Sequence, residues 1–195
     1  MSKQGKPRSA DKARSAVYVA LLRGVNVGGK HKLPMANLVR VFQDAGCTNV
    51  RTHIQSGNVV FESPPTTIES VSSNIEKELL RKMGFNVPIV IRTAAELAKV
   101  ARSNPFLTNA SDEKLLYVIF MANKPTRAQI ASLDPHRSPG DLFQVVGSEI
   151  YLHYPNGTAR SKLTVDYFDS KLDTISTMRV WRTLLSLIEM ADQRE

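Results

Sequence analysis

The segment R-G-V-N-V-G-G-K-H-K, residues 23 to 32, carries the residue types that hold phosphate. Gly24, four intervening residues, then Gly29 and Lys30 reproduce most of the pattern G-x-x-x-x-G-K-[ST]. In that pattern the glycines let backbone N–H groups approach the phosphates, the lysine reaches the outer ones, and a Ser or Thr hydroxyl holds magnesium. Here His31 stands at the hydroxyl position, and imidazole is a poor magnesium ligand beside oxygen. The next helix signal is Pro34, so the helix end that would face the anion is displaced from the Gly-Lys pair. The spacing argues against a nucleoside triphosphatase loop. It leaves a glycine-rich connection flanked by Arg23, Lys30, His31 and Lys32, which either binds an anion through amides and cations or serves only as a permissive turn.

A second polar segment, N-G-T-A-R-S-K-L-T, spans residues 156 to 164. Asn156-Gly157 is a turn signal, and Arg160, Ser161 and Lys162 follow near an expected helix start, where free N–H groups favour anions. A capped helix with a solvated basic first turn is the alternative, Thr158 or Ser161 being the cap. Other chemistry is thin. His31, His53, His136 and His153 show no metal-ligand spacing, and Cys47, after a helix-ending Gly46, reads as a small structural residue. Asp166, Asp169 and Asp173 read as solvated carboxylates along one helix side. No acid, base or nucleophile is assigned, and neither a metal nor a cofactor is expected.

The elements that must position these segments follow from periodicity. A-V-Y-V-A-L-L-R (16–23) is a strand, and Leu38, Val39, Phe42 and Ala45 recur at helical spacing after Pro34. N-V-R-T-H-I-Q (49–55) alternates and turns at Ser56-Gly57 into N-V-V-F-E (58–62), a hairpin. Ile68, Val71, Ile75, Leu79 and Met83 form one helical stripe, and V-P-I-V-I-R (87–92) is a strand. The order β-α-β-β-α-β is the ferredoxin-like arrangement. After a helix at 94–103 and a break at Asn104-Pro105 the order restarts. L-L-Y-V-I-F-M-A (115–122) is a strand, 126–133 a short helix, and 141–146 with 149–155 a hairpin around Gly147-Ser148. Helices are expected near 160–172 and 178–191, so the second unit reads as incomplete. Trp181, Leu184, Leu185 and Ile188 read as a packing stripe, with Arg179 and Arg182 flanking it at a surface.

The expected architecture is therefore α+β, two ferredoxin-like subdomains over residues 17–104 and 113–192, the second incomplete and followed by C-terminal helices. Residues 1–16 carry five cations and one carboxylate, half of the net charge of +8, with almost no large apolar residue, and read as a disordered basic tail. The 42% hydrophobic content suits a globular chain. No run reaches about 18 apolar residues, no signal-peptide core is present, and a single cysteine excludes an internal disulfide. A cytoplasmic location without membrane contact is the expectation.

The stretches Y-V-A-L-L-R-G-V-N-V-G-G-K-H-K-L-P-M and T-N-V-R-T-H-I-Q-S-G-N-V-V-F-E-S, with N-P-F (104–106) and Y-L-H-Y-P-N-G-T-A-R-S-K-L-T (151–164), resemble the bacterial domain-of-unknown-function family 1697. The resemblance covers residues 17 to 188 and implies tandem ferredoxin-like subdomains, but supplies no reaction. It departs at T-M-R-V-W-R-T (177–183), where Val180 and Arg182 stand at two positions that similar proteins fill with asparagine.

The leading functional expectation is a site for a small anionic, phosphorylated ligand at the junction of the two polar segments. Its residues are Arg23, Asn26, Lys30, Arg160 and Lys162 for charge and hydrogen bonds, and Gly28, Gly29 and Gly157 for close backbone approach. Gln55, Ser56, Asn58, Asn156 and Ser161 add polar contacts. Single-stranded nucleic acid bound by the basic tail and an open sheet face is one alternative, although Phe61 alone supplies a stacking aromatic on the third strand. A protein-interaction module without a ligand is the other. The oligomeric state is not set by the sequence.

Overall fold

A computed structural model describes residues 15–26, 32–108 and 112–193. The sequence reading of the N-terminal tail falls almost entirely outside these residues. The first subdomain runs β1 (Ala16–Leu22), α1 (Met35–Asp44), β2 (Thr48–His53), β3 (Asn58–Ser63), α2 (Ile68–Met83) and β4 (Ile89–Thr93). After α3 (Ala94–Arg102) the second runs β5 (Leu116–Met121), α4 (Arg127–Ala131), β6 (Leu142–Val146), β7 (Glu149–His153), α5 (Val165–Leu172) and β8 (Ser176–Val180), and α6 (Trp181–Asp192) closes the chain. The sheets have the orders β2-β3-β1-β4 and β6-β7-β5-β8, every pair antiparallel. Two ferredoxin-like subdomains are thus present.

The second is complete, which corrects the expectation of a missing last strand. Ser176–Val180 pairs with β5 from Met121 back to Tyr117. Its polar residues hid it: Ser176, Thr177 and Arg179 are all buried, so no apolar alternation marks the strand. The helix expected near 160 begins only at Val165, because Thr164 rather than Thr158 or Ser161 is the N-cap, its hydroxyl accepting from Tyr167 N–H at 3.2 Å. Ile54 and Gln55 belong to the β2–β3 turn rather than to the strand, and Ile54 sits at φ 48° with half its surface exposed.

Central strands β1 and β5 read as unbroken apolar runs because both of their faces are covered. Tyr18, Ala20 and Leu22 face α1 and α2 in one core that includes Phe42 stacked edge-on to Phe61 at 5.1 Å. Ile119 and Met121 face α5 in another, with Phe168 and Tyr154. The opposite faces share a third core: Val17, Val19 and Leu21 of β1 and Leu116, Val118 and Phe120 of β5 pack with Leu97 and Val100 of α3 and Trp181, Leu184 and Leu187 of α6. The two subdomains therefore meet through their sheet faces with α3 and α6 between, and the Trp181 stripe is core as its spacing indicated.

Candidate functional site

β1 delivers the chain to the glycine-rich loop at Leu22, and two neighbours hold it there. Leu22 N–H donates to the Gly57 carbonyl at 2.8 Å, and Arg23 N–H to the Pro88 carbonyl at 2.9 Å. The close approach of the hairpin turn needs a glycine: Gly57 has φ 71°, and a Cβ there would lie 2.8 Å from Leu22 Cβ. Asn26, in the left-handed region at φ 57°, staples the loop ends together. Its Oδ1 accepts from Leu33 N–H at 2.7 Å, while Nδ2 donates to the Leu33 carbonyl at 2.9 Å and the Gln55 carbonyl at 2.8 Å. An open depression of about 460 Å³ lies here, with Leu33, Pro34 and Met35 as apolar wall and Asn26, Lys32 and Gln55 as polar wall. Gly28, Gly29 and Lys30 fall outside the described residues.

Arg23 crosses to the second subdomain. Its guanidinium pairs with Asp166 and Asp169 of α5, the latter at 2.5 Å, and Asp169 also accepts from the Ser176 hydroxyl. These two carboxylates are ion-pair partners rather than the solvated groups expected, although Asp166 remains at the surface. Arg23 therefore acts as a tie between subdomains, its charge matched by acid.

Asn58 is wholly buried and its polar atoms serve the protein. Nδ2 donates to Ser56 Oγ at 3.0 Å and the His53 carbonyl at 3.3 Å, and Oδ1 accepts from Arg179 Nε at 2.5 Å. Arg179, read from sequence as a surface residue, is instead buried beneath the loop root. It also donates to Thr177 Oγ1 at 2.7 Å and to the carbonyls of Met178 at 2.8 Å, Leu22 at 2.7 Å and Gly57 at 3.4 Å. Burial pulls its pKa down to about 10, still charged at neutral pH. Arg179 was the residue that sequence reasoning misplaced. Its signal was a cation two positions before Trp181 of the buried stripe, legible only once β8 is known to be a strand.

The second polar segment lies between β7 and α5. Lys162 N–H donates to Ser138 Oγ at 3.2 Å, its carbonyl accepts from Arg137 Nε at 3.1 Å, and Ser161 Oγ accepts from Leu163 N–H at 3.1 Å. Asn156, Arg160 and the Lys162 side chain are exposed, and Gly157 has φ 75° with no atom within 4 Å of an added Cβ. Neither Arg160 nor Lys162 has an ion-pair partner among the described residues. Arg23 is bonded to α5, the helix that follows this segment, while the Lys162 backbone bonds to Arg137 and Ser138 of the 134–141 loop.

Other expectations resolve separately. The sheet faces that an RNA-recognition module would leave open are core here. Arg51, expected on a solvent face, donates to the carbonyls of Met190 at 2.6 Å and Gln193 at 3.0 Å at the end of α6. Val180 and Arg182 both reach the surface, so neither shapes a closed pocket. Among the described residues no helix is long and apolar enough to cross a membrane.

The model of a family described as "Protein of unknown function (DUF1697)" matches residues 16–151, most of the chain. The chain belongs to this family. The match includes the glycine-rich loop and the first hairpin, ends within β7, and stops short of the 156–164 segment, α5 and Arg179. No curated protein matches the chain. Among solved structures it is similar to the conserved bacterial protein SP0830 from Streptococcus pneumoniae, with a TM-score of 0.70 at 20% identity over 92% of this chain and 100% of that one. At that identity the likeness is one of fold.

Proposed function

We propose that this family member binds a small anionic, phosphorylated ligand at the junction of the glycine-rich loop and the 156–164 segment. One observation carries the reading: Arg23, at the root of the loop, is bonded to the first turn of the helix that follows the 156–164 segment. On this proposal two glycine-and-cation segments, one from each subdomain, share a mouth beside that tie. In this reading Lys30, Lys32, Arg160 and Lys162 supply charge, Gly28, Gly29 and Gly157 allow the backbone to approach, and Gln55 and Ser56 border the mouth. Asn26 and Asn58 hold its frame.

The test is a thermal-shift and calorimetric titration of the full chain with inorganic phosphate, sugar phosphates and nucleotides. Saturable binding of one of them, lost in a Lys30→Ala/Arg160→Ala variant that keeps its circular dichroism, is the expected result. Equal affinity in that variant overturns the site.

A further inference from the structure

β2, β4, β6 and β8 edge the two sheets, and all but β6 are guarded. β2 is bulged between Thr48 and Arg51, and Arg51 ties it to the end of α6. β4 and β8 close against each other at the subdomain junction. β6 has none of these devices: it reads L-F-Q-V-V, is unbulged against β7, and holds neither proline nor charge. An exposed edge of that kind is normally blunted, because its unpaired N–H and C=O groups template another strand.

Hydrogen bonds elsewhere in the sheet fix which groups β6 leaves open. Met121 N–H donates to the Ser148 carbonyl and Tyr154 N–H to the Leu115 carbonyl, so Ile150 and Leu152, in phase with them, bond to β5. Glu149, Tyr151 and His153 therefore bond to their β6 partners Val146, Gln144 and Leu142. The N–H and C=O groups of Phe143 and Val145 point away from the sheet, and among the described residues no hydrogen bond reaches them. Their side chains pack on the Phe168 core. Leu142, Gln144 and Val146 share the other face and are exposed, Leu142 by 50% and Val146 by 36%.

This edge is complementary to itself, which a two-fold contact between identical chains requires. When β6 lies antiparallel to β6 of a second copy with the axis at Gln144, Phe143 of either copy exchanges backbone hydrogen bonds with Val145 of the other. The same register sets Leu142 opposite Val146 and Gln144 opposite Gln144, whose amides donate and accept in kind. Charge points the same way. Two copies at a net +8 repel through cationic surfaces, whereas this strip sets no charge opposite another.

We infer that β6 is a self-association edge, through which two copies of this chain join their second sheets into one. The contact is independent of the anion site. One strand pair buries less than the about 800 Å² per partner of a standard interface, so the dimer is of the weak class and forms as concentration rises.

The full chain is sedimented to equilibrium from about 10 μM to about 1 mM, a range that brackets a weak dimer, and a reversible monomer–dimer equilibrium is expected. Val145→Pro deletes an outward N–H and leaves the bonds to β7 intact, and Gln144→Lys sets like charges at the axis. Each is expected to weaken the dimer by about tenfold or more with the circular dichroism of the wild type. The register has its own readout. Facing residues of a pair without hydrogen bonds lie about 4.5 Å apart at Cα, within disulfide reach. Mild oxidation should therefore cross-link Gln144→Cys, and not Lys124→Cys, an exposed position outside β6. A wild-type chain that stays monomeric at about 1 mM overturns the inference, and the edge then falls to an extended segment of another protein. A dimer indifferent to both substitutions, or equal cross-linking at the two cysteines, overturns it as well, since the contact would lie elsewhere.

Discussion

Arg23 Nη1 lies 2.5 Å from Asp169 Oδ2, joining residues 146 positions apart in the chain and two subdomains in space. Both side chains are mostly buried, so the pair is screened less than a surface one. A double-mutant cycle with Arg23→Ala and Asp169→Ala, read by urea denaturation, is expected to give a coupling of about 1–2 kcal/mol. A coupling near zero would mean that the tie adds nothing to the junction.

Gly57 is held in a conformation and a space that only glycine fits. Gly57→Ala adds the left-handed penalty to an overlap with Leu22, and is expected to cost about 2–4 kcal/mol in denaturant unfolding. The substitution Gly46→Ala is the control: Gly46 has φ 89° but no atom within 4 Å of an added Cβ, so its cost should be smaller.

Asn26 makes three hydrogen bonds that close the loop. Asn26→Ala is expected to lower stability by about 1–3 kcal/mol and to speed proteolytic cleavage between residues 24 and 33, mapped by mass spectrometry. Unchanged cleavage would show that the staple is dispensable.

Burial pushes the Cys47 thiol up to about 11. The thiolate is scarce at pH 8, and the sulfur is also inaccessible. Reaction with a thiol reagent under native conditions should be slow, and should accelerate across the urea unfolding transition. Fast stoichiometric labelling of the native chain would contradict this.

The hydrogen bond from Arg81 holds the Glu78 carboxyl down at about 2, from an ordinary 4.5, with Lys82 helping. A depressed folded-state pKa contributes stability above the unfolded value and loses it as pH falls through the folded one. The stability difference between wild type and Glu78→Gln should therefore be present above pH 4.5 and vanish on approach to pH 2. A difference that persists unchanged at pH 2 would rule out the ionised carboxylate as its source.

Periodicity alone sufficed for most of the fold. The apolar runs of β1 and β5, the hairpin turns at Ser56-Gly57 and Gly147-Ser148 and the stripe from Ile68 to Met83 each report a local constraint, and a local constraint is written in neighbouring residues. The glycine loop and the 156–164 segment were visible for the same reason. β8 was not, because Ser176, Thr177 and Arg179 are buried by partners far along the chain, and a strand whose inward residues are polar has no hydrophobic signature. Nor could sequence show that Arg23 is matched by Asp166 and Asp169 while Arg179, among the described residues, has only neutral partners. Which cation is neutralised and which keeps its field depends on distances across the subdomain junction, and those arise only when the two sheets close on α3 and α6.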